Sequence, residues 1–323
     1  MIISISDRSL AMTYQLLKIT VIISTAIILI MTILLNASSW TGFALGKDSI
    51  IPYNDGWFRS NILNNYEKHG LEILPAGWTF QIWIFVFAYQ FLWISYSLSL
   101  IFRRTNDGFG YLFYHPDFMP LKLYLVFTVN MALDIGWLFT FDRELSVYST
   151  IFMFGVAVSL YVCLAFSVNA LQQHGIALFR IDHRLEVRLV RGLVQNGLAT
   201  YSTWVTVNSV IDFGILLMTS FGVSSKDAST ICLTLIGVEL IALTVVDLTV
   251  LDRYTRYLML PYFVRFFALA GIVHRVATVG GRNLVMAGIV LALTVIAFVA
   301  KGLTIIWRSQ SDPEPLLRQK QQS

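Results

Sequence analysis

Eight stretches of this chain are apolar over lengths near the roughly 20 residues that a helix, rising about 1.5 Å per residue, needs to cross about 30 Å of hydrocarbon. They cover residues 19–35, 77–102, 121–141, 146–171, 193–217, 230–251, 258–273 and 285–307. Inside lipid every backbone N–H and C=O must be paired within the protein, so such stretches are helices. Charged residues make up only 13% of the chain and apolar ones 56%, whereas about a quarter of a soluble domain is charged. The fold class is therefore an all-α integral membrane protein with about eight transmembrane helices. The seventh stretch is short and contains Pro261 and Arg265, so its sequence leaves open whether it spans fully.

The net charge of +4 sits in the connections, without the basic, aromatic-interleaved patch of a nucleic-acid binder. With eight spans and the N-terminus inside, fourteen Lys and Arg residues fall on one side, among them Lys18, Arg103, Arg184, Arg256 and Arg308. Seven fall on the other, among them Lys47, Lys68, Lys226 and Arg282. Positive charge resists translocation, so both termini are expected in the cytoplasm. The outer loop at 37–76 carries Trp40, Tyr53, Trp57 and Tyr66, and its start overlaps the one glycosylation sequon, Asn36-Ala37-Ser38, too close to the membrane to favour modification. The tail at 308–323 is polar and Pro-containing, which predicts disorder, and holds the dileucine-like string Asp312-Pro313-Glu314-Pro315-Leu316-Leu317. Cys163 and Cys232 fall in apolar runs and read as buried thiols. No catalytic, nucleotide or zinc motif is present, and His174 and His183 lack a third ligand at metal spacing. Neither an enzyme nor a cofactor is expected.

The second span opens Leu74-Pro75-Ala76-Gly77-Trp78-Thr79-Phe80-Gln81-Ile82-Trp83, and Trp78, Phe85, Tyr89, Trp93 and Tyr96 recur along it at helical spacing. This string resembles the start of the second helix in the TspO family of tryptophan-rich sensory or translocator proteins, in the form P-A-G-W-A-F-x-I-W of its longer relatives. Leu123-Tyr124, Asn130 and Asp134-Ile135-Gly136-Trp137 resemble the family's third-helix L-Y…L-N-x-x-W, and Tyr201-Ser202-Thr203-Trp204-Val205-Thr206 with Asp212 its fifth-helix W-V-T…N. Two departures matter: Asp134 and Asp212 stand where the family pattern has asparagine. The resemblance covers about residues 18–217. It implies a TspO-like five-helix core over 1–217, followed by three additional helices over 218–307.

A charge at mid-span costs at least about 2.5 to 3.5 kcal/mol on insertion scales, so each one requires a reason. Glu239 with Arg265, and Asp247 with Lys301, match in depth and are expected to neutralise one another between neighbouring helices. Asp134 and Asp212 both lie in the outer third, and two carboxylates brought close do not both ionise easily. Asn130, Asp134 and Trp137 share one face, and Trp204, Asn208 and Asp212 another. Two polar-aromatic stripes facing each other would line one cavity, suited to a cationic or hydrogen-bonding ligand or a coupling proton.

The expected function is binding or sensing of a hydrophobic or planar small molecule in an intramembrane cavity. The resemblance implies tetrapyrrole- or sterol-like ligands, with Trp78, Trp83, Trp137 and Trp204 as aromatic walls and Tyr89 beside them. The alternative is a proton- or ion-coupled secondary transporter or channel, motivated by the six intramembrane charges. The expected partners are the lipid bilayer and such a ligand; the ligand's identity, the organelle and the oligomeric state are not encoded in any motif.

Overall fold

The computed structural model describes residues 5–44, 58–105 and 110–311. Tyr53, Trp57 and the dileucine-like string lie outside them. The chain folds as α1 (Ile5–Ala44), α2 (Ile62–His69), a 3-10 turn (Gly77–Gln81) running into α3 (Ile82–Leu100), α4 (Leu121–Asp142), α5 (Ser146–Arg180) and α6 (Arg184–Leu189). A π-helical segment (Val190–Gln195) joins α6 to α7 (Asn196–Phe221), and α8 (Ser225–Leu248), α9 (Asp252–Thr255), α10 (Leu260–Val276) and α11 (Gly281–Ser311) complete it. Among the described residues seven helical stretches are long and apolar enough to cross a membrane. The eighth expected span, α10, has 17 residues, about 25 Å at 1.5 Å per residue. It packs on α7 and α11. Thr230 of α8 bonds Asn283 of α11 at one end and Asp247 of α8 bonds Lys301 of α11 at the other, so α8 and α11 pack in parallel and α10 connects them by running back in the opposite direction.

Helices exceed the apolar stretches that define them because polar neighbours continue the backbone ladder once a helix has nucleated. α1 has 40 residues against the expected 19–35. The helix C-terminal to α6 is likewise continuous through its π segment, so the span expected at 193–217 is part of a helical stretch over Arg184–Phe221.

α4 packs between α1 and α5, and α7 packs on α5 while touching α3, α8 and α10. The last three helices are joined to the rest by close backbone approach: Ala76 N donates to Gly271 O at 3.1 Å, and a Cβ at Gly271 would fall 2.1 Å from Thr79 Cγ2. Short polar links tie the ends. Asp142 accepts from the backbone N–H groups of Arg59 and Ser60 (2.8 and 3.2 Å), and Asn283 donates to Glu72 at 2.6 Å. Lys18, wholly buried, pairs with Asp117 at 2.5 Å.

Candidate functional site

A cavity of about 730 Å³ lies between α1 and the turn that opens α3, within the 300–1,000 Å³ usual for small-molecule sites. From α1 it is lined by Ile33, Asn36, Ala37 and Trp40, spaced i, i+3, i+4, i+7 on one helical face. Opposite stand Phe80, Trp83, Ile84, Phe87, Ala88 and Phe91. At its rim Ile84 and Phe91 are 71% and 52% exposed, so in a bilayer the mouth faces acyl chains rather than water.

Trp83 forms the back wall and the centre of an aromatic cluster. Its ring lies 5.4 Å from Phe87, 6.5 Å from Trp137, 6.0 Å from Tyr201 and 6.3 Å from Trp204, the last two edge-on. Such offset and perpendicular arrangements are the favoured ones for quadrupolar rings. Trp40 closes the cavity from α1 against Phe80 at 5.4 Å.

Behind this wall run two polar links. Asn36 Nδ2 donates to Asp134 Oδ2 at 2.8 Å. Trp137 Nε1 donates to Asp212 Oδ2 at 2.7 Å, and Tyr66 of α2 donates to Asp212 Oδ1 at 2.9 Å. Asp212 thus has a donor on each oxygen, and Asp134 has Asn36 on Oδ2 with the Tyr201 hydroxyl beside it. Asn36 Oδ1, Trp40 Nε1 and Trp204 Nε1 are buried without a partner. Native proteins leave few buried polar atoms unpaired, because each costs about 1 to 3 kcal/mol. Two of these atoms, Asn36 Oδ1 and Trp40 Nε1, belong to residues that line the cavity and mark a polar end to an otherwise apolar chamber.

The sequence-selected residues distribute unevenly. Trp83 lines the cavity, Asp134 reaches its wall through Asn36, and Trp137 and Trp204 pack on the outer side of Trp83. Asp212 is held by Trp137 and Tyr66 away from the cavity-lining set. The remaining selections point elsewhere. Asn130 donates to Val156 O and Ser159 Oγ of α5 at 2.9 and 2.8 Å, and Asn208 to its own helix at Trp204 O. Trp78 packs edge-on against Phe267 of α10, and Tyr89 against Phe85 and Gly197. The physical reason is helix phase: at 3.6 residues per turn, positions 78, 85 and 89 fall on one face and positions 80, 84, 87 and 91 on the opposite one. The face that lines the cavity is therefore Phe80–Ile84–Phe87–Phe91, not Trp78–Phe85–Tyr89, while Trp93 is buried against Phe127 of α4 and Tyr96 bonds Glu186.

The cavity-lining face of α1 was not read from the sequence. Asn36 reads in the sequence as half of a glycosylation sequon, yet its side chain is 2% exposed and bound to Asp134. The signal available was the i, i+3, i+4, i+7 pattern Ile33, Asn36, Ala37, Trp40, with an amide inside an apolar run. Glu186 was also missed; it is wholly buried and meets Arg103 and Tyr96.

Toward the last helices, Arg265 Nη2 lies 2.7 Å from Glu239 Oε1, and Lys301 Nζ lies 2.9 Å from Asp247 Oδ2, which also accepts from Tyr262 at 2.5 Å. Among the described residues no group of three or more His, Cys, Asp or Glu is placed to hold a metal ion.

No curated protein matches the chain. No solved structure matches it either. A family model described as TSPO-like protein matches residues 19–301, so the likeness extends beyond the five-helix stretch at 18–217 and runs through α8 and α10 into α11. The arrangement of polar and aromatic groups on successive helices, and a match over most of the chain, place this membrane protein in the TSPO-like family.

Proposed function

We propose that this protein binds or senses a hydrophobic, planar small molecule that enters the α1–α3 cavity from the bilayer. The observation that carries the reading is the cavity itself, about 730 Å³ with aromatic walls and a polar end formed by Asn36, Trp40 and the Asp134 carboxylate behind them. A flat ring system stacks on Trp83 and Phe87 while its acceptor or donor reaches the unpaired atoms, which matches the tetrapyrrole- or sterol-like class that family membership suggests. Trp137, Trp204 and Asp212 act as a supporting layer that fixes Trp83. In this reading both chain ends face the cytoplasm, as the positive-charge imbalance requires.

The test is binding of a protoporphyrin and of a sterol to the full chain in lipid nanodiscs. Saturable binding weakened about tenfold by Ala88→Trp, with helical content unchanged, supports the cavity; unaltered affinity in that variant removes it. Proton-gradient-driven uptake into reconstituted vesicles, abolished by Asp134→Asn, replaces binding with the transport alternative.

A further inference from the structure

A second chamber, sharing no lining residue with the first, opens on the side of α7 that meets the last three helices. It measures about 160 Å³. Its walls are Tyr161 of α5 and Leu243 and Val246 of α8, with Thr203 of α7 and Tyr262 and Arg265 of α10 deeper in. Leu243, Val246 and Leu251 at its edge are each 38% exposed, so it too opens on the lipid-facing surface.

Its chemistry differs from that of the α1–α3 cavity. The charges beside it are already matched: both near oxygens of Glu239 accept from Arg265 Nη2 (2.7 and 3.0 Å), and Asp247 is held by Lys301 and Tyr262. An ionic ligand would meet a neutral wall and lose its hydration without gaining a counter-charge. One polar atom at this wall has no hydrogen-bond partner, Arg265 Nε on a side chain that is 5% exposed, and the Thr244 hydroxyl lies beside that of Tyr262. The volume is comparable with the roughly 150 Å³ apolar cavity that accepts a benzene ring.

We infer that this crevice is a separate binding site for an uncharged, membrane-dissolved amphiphile of about six to eight carbons bearing one hydroxyl or carbonyl oxygen. The oxygen accepts from Arg265 Nε and pairs with Thr244, and the apolar body lies between α5 and α8. The site does not depend on occupancy of the α1–α3 cavity.

The experiment uses a diazirine-bearing octanol as photolabel on the full chain in phosphatidylcholine nanodiscs, with adducts mapped by mass spectrometry. Expected are adducts on Tyr161, Leu243 and Val246 that excess octanol suppresses and octane does not. Leu243→Trp, which fills the mouth, should cut labelling about tenfold, and Thr244→Val, which keeps shape but removes the hydroxyl, about fivefold. Ala88→Trp, which plugs only the first cavity, should leave the adducts unchanged. Labelling spread evenly over lipid-facing helices, equal competition by octane, or insensitivity to both crevice variants would overturn the site. Loss of the adducts in Ala88→Trp would overturn its independence.

Discussion

Trp137 and Asp212 join α4 to α7 through one 2.7 Å hydrogen bond, the indole N–H donating to a carboxylate buried in the bundle. The same carboxylate receives Tyr66 from outside the spans, so a single side chain fixes two helices and the short α2 that caps them. Trp137→Phe keeps the ring and deletes the donor. It should destabilise the protein by about 1 to 3 kcal/mol, since the carboxylate loses one of its two partners. Asp212→Asn still accepts from one donor and should cost less. Unfolding midpoints of the two variants in detergent give the order, and a Trp137→Phe protein as stable as the parent contradicts it.

Asn36 donates to Asp134 Oδ2, with the Tyr201 hydroxyl beside the same carboxylate. Asn36→Leu should therefore weaken both stability and ligand affinity, by about tenfold in the latter when a hydrogen bond to charge is lost. Adding Asp134→Asn, which removes the stranded charge, should restore the stability but not the affinity. Thermal melts and binding isotherms of the single and double variants separate the two effects.

At the other end of α1, Lys18 is buried whereas its partner Asp117 is 31% exposed. The two deletions should differ. Asp117→Asn leaves an ammonium group without a counter-charge inside protein, at a cost approaching about 3 kcal/mol; Lys18→Met leaves a carboxylate that water still reaches and should cost much less. Equal losses in a chemical-denaturation series would show that burial does not govern this pair.

Gly271 touches Thr79 so closely that an added Cβ would lie 2.1 Å from Thr79 Cγ2. Gly271→Ala should destabilise by about 1 to 3 kcal/mol through overpacking. Thr79→Ser in the same chain removes the clashing methyl group and should recover most of that loss while retaining the hydroxyl bond to Ala76 O. A double-mutant cycle without coupling would deny the contact.

In the short α9 connection, burial pushes the Asp252 carboxyl up, but Arg308 and Arg256 beside it (2.5 and 3.0 Å) hold it below the ordinary carboxylate range. A group depressed in the folded state contributes stability above its unfolded value of about 3.9 and loses that contribution as pH falls through its folded value. Asp252→Asn should lower the melting midpoint by a few degrees at neutral pH, and the difference from the parent should shrink in strong acid.

The helices were legible because hydrophobic length has no other use in such a chain. The depth matching of Glu239 with Arg265 and of Asp247 with Lys301 was legible for a related reason, since an isolated mid-span charge is costly enough to demand a partner. The cavity was not, because its position depends on helix phase. The second span carries aromatics on both faces, Trp78, Phe85 and Tyr89 on one and Phe80, Phe87 and Phe91 on the other, so its pattern alone does not say which face meets a cavity. Lys18–Asp117 and Asn36–Asp134 join residues 99 and 98 positions apart, and no local periodicity encodes such distant partners.

α1 meets α4 and the segment before it at three heights, through Lys18 and Asp117, Thr25 and Thr128 (2.9 Å), and Asn36 and Asp134. These rungs fix the first helix against the fourth, and α3, the other wall of the cavity, is held to α4 by Trp93 on Phe127 and to α7 by Gln90 Nε2 donating to Gly197 O at 3.1 Å. The entry of α3 is in turn pinned to α10 by Ala76 and Gly271. Both walls of the chamber are thus held before a guest arrives, and the shape already present selects what fits.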